Sequence, residues 1–160
     1  MQPARALGRG SASALCFNCG IPLDAKYFDE SGVEAVPAFG RDVVLARFEL
    51  SPQYCGVLEY FSQFTDLYAK DPSQIKTDGL EWVILSNRNP LYPYVKLDRI
   101  VNPWGYGSFP IAIRLDEGAM IEFVVRRRSA NSSGIGLVGG RILGRYWYNT
   151  AYGAAGRNGQ

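Results

Sequence analysis

The chain has 160 residues, about a quarter of them Leu, Ile, Val or Phe, with 18 Gly, 9 Pro and 10 Tyr; this is one domain with enough apolar mass for a core, in a mixture that suits strands and turns. It contains no histidine, which removes Ser-His-Asp and Cys-His triads, two-His metal sites and imidazole proton shuttles. Net charge is +2, yet residues 123–160 carry six Arg and no acid, while residues 1–122 hold 11 bases against 15 acids, so the chain is +6 at one end and −4 over the rest.

Residues 1–40 are rich in Gly, Ala, Ser and Pro and keep no period of 2 or 3.6, the character of an extended arm. Leu7 and the Ala14-Leu15 pair are too interrupted to form the apolar stretch of a signal peptide, and no run of about 18 apolar residues exists to form a membrane-spanning helix. The chain therefore reads as soluble and unprocessed.

From Asp42 the pattern changes. Val44, Ala46, Phe48 and Leu50 alternate with Leu45, Arg47 and Glu49, which predicts a half-buried strand that Ser51-Pro52 stops. Residues 56–64 (GVLEYFSQF) predict a second strand, and the polar stretch 66–79 after it has room for a short helix. LEWVILS (80–86) is a third strand with Trp82 and Ile84 on one side; SNRNPLYPY (86–94) reads as a turn, and VKLDRIV (95–101) as a further strand. The loop NPWGYGSFP follows. Then IAIRL and AMIEFVVRR flank Asp116-Glu117-Gly118, which reads as a hairpin with Phe109, Ile111, Ile113 and Leu115 facing one way and Ile121, Phe123 and Val125 likewise on the partner strand. SANSSGIGLVGG reads as a flexible connection. GRILGRYWYN (140–149) closes the pattern, with Ile142, Tyr146 and Tyr148 on one face and Arg141, Arg145 and Trp147 on the other.

Seven or so strands with turn chemistry between them predict an all-β fold, an antiparallel β-sandwich or jelly roll. The expected organisation is an extended N-terminal arm over 1–41, the sandwich over 42–150 and a flexible C-terminal tail over 151–160. The expected core includes Phe48, Trp82, Ile84, Ile111, Ile113, Ile121, Phe123 and Ile142.

Several motifs invite chemistry and fail their context. Cys16-Phe17-Asn18-Cys19-Gly20 opens like a zinc knuckle, but no His exists and the remaining Cys55 lies 36 residues beyond Cys19, so four ligands cannot converge within one chain; ordinary thiols or a disulfide are the readings left. Gly134-Ile135-Gly136-Leu137-Val138-Gly139 spells G-x-G-x-x-G without the helix or the later acid that a dinucleotide site requires. The carboxylate pairs Asp29-Glu30 and Asp116-Glu117 are adjacent residues that point apart in a strand or serve a turn. The chain is accordingly read as not an enzyme, with no catalytic, cofactor-binding or metal residue and no cofactor. Arg126–Arg128 is a basic cluster whose two readings are an interface contact and pairing with acids of the chain's own first part. A nucleic-acid partner is not expected from three arginines in a nearly neutral chain.

The strand text FPIAIRLDEGAMIEFVVRRR followed by GGRILGRYWYN, behind a Gly/Ala/Ser arm, resembles the small β-sandwich structural proteins of tailed bacteriophage virions, those that decorate, cement or connect head and neck. The resemblance covers about residues 42–149. It implies a location in the virion, arms that cross onto neighbouring subunits, partners such as the major capsid protein, a homo-oligomer and no enzymatic activity. On that reading the contacts fall on Leu15, Phe17, Ile21, Tyr27 and Phe28 of the arm, Trp104 and Tyr106 of the aromatic loop, and Arg126, Arg127 and Arg128. The alternative partner is a glycan, bound by a carbohydrate-binding β-sandwich through Trp104, Tyr106, Tyr92 and Tyr94.

Overall fold

Period-2 alternation places one face of each strand against a core, and the chain satisfies this with two layers. The computed structural model describes residues 21–22, 24–66, 79–95, 109–129 and 134–149. Among these residues eight strands form: β1 (Lys26–Ala35), β2 (Asp42–Glu49), β3 (Tyr54–Thr65), β4 (Leu80–Ser86), β5 (Asn89–Val95), β6 (Phe109–Leu115), β7 (Met120–Arg127) and β8 (Leu137–Tyr148). They build two four-stranded antiparallel sheets, β1-β8-β3-β6 and β2-β7-β4-β5, in the arrangement of an all-β sandwich. Pairing is nested: the first strand pairs with the eighth, the second with the seventh, the third with the sixth and the fourth with the fifth. The late strands β8 and β7 thereby occupy the interior of the sheets.

The inner faces meet in one core that includes Leu58, Phe61, Trp82, Ile84, Leu115, Ile121, Phe123 and Ile142. The Trp82 indole N–H donates to the Gly139 carbonyl at 3.3 Å, giving a buried polar atom a partner across the sandwich. After Glu81, β4 is apolar on both sides because it is buried on both; Val83 and Leu85 join Val124 in a second small cluster. Of the eight core residues expected from the sequence, seven are buried. Phe48 is half-buried and packs on the core's margin.

Five sequence expectations change. Residues 26–35, read as arm, are strand β1, paired with β8 along its whole length, with Phe28 buried. Its ring stacks on Phe48 of β2 with centroids 3.9 Å apart, and it lies over Gly144 of β8, where a Cβ would come within 2.6 Å of two ring carbons. In β2 a bulge between Val44 and Ala46 inserts Leu45, so Val44 turns outward and Leu45 inward, reversing the phase expected for the strand's first half. The stretch read as a turn over 86–94 is a tight turn at Asn87-Arg88 followed by β5, whose prolines are tolerated because it is an edge strand.

Asp116-Glu117-Gly118 is a turn, closed by Ala119 N–H donating to the Asp116 carbonyl at 3.0 Å with Gly118 at φ 65°, but it carries the chain from β6 in one sheet to β7 in the other. It is not a hairpin. An apolar face toward the core is demanded equally by both connections, so alternation could not separate them. Finally, Leu137–Gly140, read as part of a flexible connection, already belongs to β8, and Gly140 lacks the Cβ that would meet the Phe123 ring at 2.5 Å. All but the end residues of the short helix expected over 66–79, most of the strand expected over 95–101 and the tail 151–160 lie outside the described residues.

Candidate interaction surface

The charge asymmetry along the chain is resolved by the nesting. β8 and the part of β7 after Glu122 come from the acid-free end and lie between strands of the acidic part, and their arginines meet its carboxylates. Arg141 donates from Nε to Asp29 Oδ1 at 2.7 Å and from Nη2 to Oδ2. Arg145 grips Glu59 the same way, Nε to Oε2 at 2.8 Å. Glu59 is the extra residue of a bulge between Leu58 and Tyr60 in β3, which sets its carboxylate beside Arg145 in a nearly buried pair; the Tyr27 ring centroid lies 5.8 Å from the guanidinium carbon.

Two bonds from one guanidinium to one carboxylate are the strongest form of such pairing. The hydrogen bond from Arg141 holds the Asp29 carboxyl below its ordinary value, and the carboxylates of Asp29 and Glu59 raise Arg141 and Arg145.

The Arg126–Arg128 cluster is likewise engaged within the chain. Arg126 Nε lies 2.9 Å from Asp42 Oδ2 as an ion pair without hydrogen-bond alignment, Arg127 donates to the carbonyls of Ser129 and Pro37, and Arg128 Nε lies 3.4 Å from Glu81. Of the two readings of this cluster, pairing within the chain is the one these distances describe. The other carboxylate pairs are spread as expected for adjacent acids: Asp116 pairs with Arg114, and Glu117 accepts from Asn149.

Among the described residues four strands form the edges of the sheets, and they fall into two unlike flanks. β5 and β6 carry Pro90, Pro93 and Pro110, which remove donors and discourage pairing. β1 and β2 carry no proline, and β1 is ten residues long with unbroken register against β8. This flank also gathers exposed apolar side chains: Tyr27 (68% exposed) and Val33 (59%) on β1, Phe39 (62%) in the connection, Val44 (47%) on β2, and Leu137 opposite Ala35. On the outer face beside it, Ser31, Val33, Ser62, Phe64 and Arg141 border an open trough of about 430 Å³ floored by Gly139.

Among the sequence-derived contact residues, Tyr27 is exposed on this flank, Ile21 is half-buried, and Phe28 is a core residue and so is withdrawn as a contact. Leu15, Phe17, Trp104 and Tyr106 lie outside the described residues, as do Cys16 and Cys19; Tyr92 and Tyr94 lie on β5. Val33, Phe39 and Val44 were missed. The one sequence clue to them is the distribution of proline among the strands that turn out to be edges. Cys55 is a buried free thiol, its pKa pushed up to about 11 chiefly by desolvation and then by Glu117. Among the described residues no three His, Cys, Asp or Glu side chains converge as metal ligands, and no helix is long and apolar enough to cross a membrane.

No family model matches the chain, and no curated protein matches it.

Proposed function

We propose that this chain is a non-enzymatic structural protein of a virion, a jelly roll that decorates, cements or connects the head or neck of a tailed phage by binding neighbouring subunits. The observation that carries the reading is the asymmetry of the sandwich flanks: proline-bearing edges on one side, and on the other a long open edge bordered by Tyr27, Val33, Phe39 and Val44. Exposed apolar side chains along an unguarded edge are costly for a protein that works alone and useful for one that assembles. The nested pairing of eight strands supports the jelly-roll assignment, an architecture common in capsid domains. Its partners on this reading are the major capsid protein and further copies of the chain.

The test is location. Purified particles from the native source should contain the chain at fixed stoichiometry, retained through gradient purification and visible by cryo-electron microscopy as density outside or between capsid subunits. Recovery only in the particle-free fraction would overturn the reading.

The trough beside Phe64 and Arg141 favours a second reading, a carbohydrate-binding module, since an aromatic ring next to hydroxyls and an ion pair is what a sugar's apolar face and hydroxyls require. Glycan-array binding abolished by Phe64→Ala would select it.

A further inference from the structure

We infer that β1 is a self-pairing edge: two copies join antiparallel through it, in a register centred on Glu30, to make one continuous eight-stranded sheet. The inference rests on the assembly reading above and names the partner that this edge takes, a second copy of the chain.

The register follows from the strand's own residues. Tyr27, Asp29, Ser31 and Val33 share the outer face, as the contacts of Tyr27 with Arg145, Asp29 with Arg141 and Val33 with the Gly139 trough require, while Phe28 and Gly32 face inward. Paired residues of an antiparallel ladder must lie on the same face, so only every second register is open. Centred on Ser31, the ladder sets Asp29 against Val33 and Glu34 against Phe28. Centred on Asp29, it opposes Asp29 to itself and Asp24 to Glu34. Centred on Glu30, Tyr27 meets Val33 and Lys26 meets Glu34, each twice by symmetry, joining the two most exposed apolar residues of the strand and its only base to an acid. Aromatic with β-branched and opposite-charge pairs are the favourable cross-strand combinations.

Asp29 is already neutralised by Arg141, so one unfavourable contact is left, Glu30 facing its own copy at the two-fold axis. β1 meets the other requirements of an added strand: it has no proline and no bulge, and its second edge is unoccupied among the described residues.

The experiment is sedimentation equilibrium on the full chain and on charge-swapped variants at exposed positions. The wild type is expected to dimerise. Lys26→Glu or Glu34→Lys alone should each weaken the dimer roughly tenfold, and the two together should restore it, because the pair is rebuilt with its signs exchanged. Glu30→Gln should tighten it about threefold by removing the like-charge contact. A protein that stays monomeric at every concentration, or a dimer indifferent to both single swaps, would overturn self-pairing. So would a monomer whose β1 amides gain protection only when capsid protein is added, an outcome that moves the edge to another partner and leaves the virion reading standing. Absence from particles with an intact, swap-sensitive dimer would instead remove the virion reading alone.

Discussion

Arg88 sits at φ 67° beside Asn87 at φ 49°, so both central residues of the β4–β5 turn are left-handed, the geometry of a two-residue hairpin turn. Asn87 suits that conformation and anchors the turn, its side-chain oxygen accepting from the Met120 N–H at 3.0 Å. Arg88 has no such compensation. Arg88→Gly is expected to stabilise the protein by about 1 kcal/mol in a denaturant titration, the left-handed strain relieved less the extra freedom given to the unfolded chain.

The Glu59–Arg145 pair makes the opposite prediction: Arg145→Met leaves a buried carboxylate unpaired and should cost about 3–5 kcal/mol, while Glu59→Met in the same chain recovers most of it. At Asp29 the effect appears in pH. Its folded pKa is depressed, so the stability it confers is present above the ordinary value of 3.8 and is lost as pH falls through the lowered folded value; Asp29→Asn should flatten the acid limb of the stability profile. Single residues of this kind were only partly legible. Excess Arg at one end and excess acid elsewhere could be counted, but which arginine meets which acid depends on the bulge at Glu59 and on strand order.

At the scale of elements, legibility followed burial. β4, β6 and β7 alternate or run apolar because a core face is demanded of them, and they were found within a residue or two of their limits. β1 was missed because an edge strand exposes both faces for most of its length, so KYFDESGVEA shows one buried side chain and no period. β5 was missed because its prolines write a turn, although an edge tolerates them. The consequence for β1 is testable. Phe28→Ala should cost about 3–5 kcal/mol, as expected for a buried ring stacked on Phe48, whereas the exposed Tyr27→Ala should stay near half a kcal/mol. Equal, small costs at both positions would return residues 26–35 to the arm.

For the whole molecule, the nesting ties these facts together. It seats the basic strands between acidic ones, pairs Arg126, Arg128, Arg141 and Arg145 with carboxylates of the same chain, and, on the reading proposed above, leaves assembly to the β1–β2 flank. Association through that flank should keep only the salt dependence of its Lys26–Glu34 pairs, less than contacts through Arg126–Arg128 would give. The fold class was legible because alternation reports it directly; the proposed assembly face was not, since which strands become edges is decided by long-range pairing. The most direct test is amide hydrogen exchange on the dilute protein and on the assembled one. The account predicts new protection over 26–35 and 39–49 with none over 89–95 and 109–115; protection confined to β5 and β6, with β1 and β2 unchanged, would contradict it.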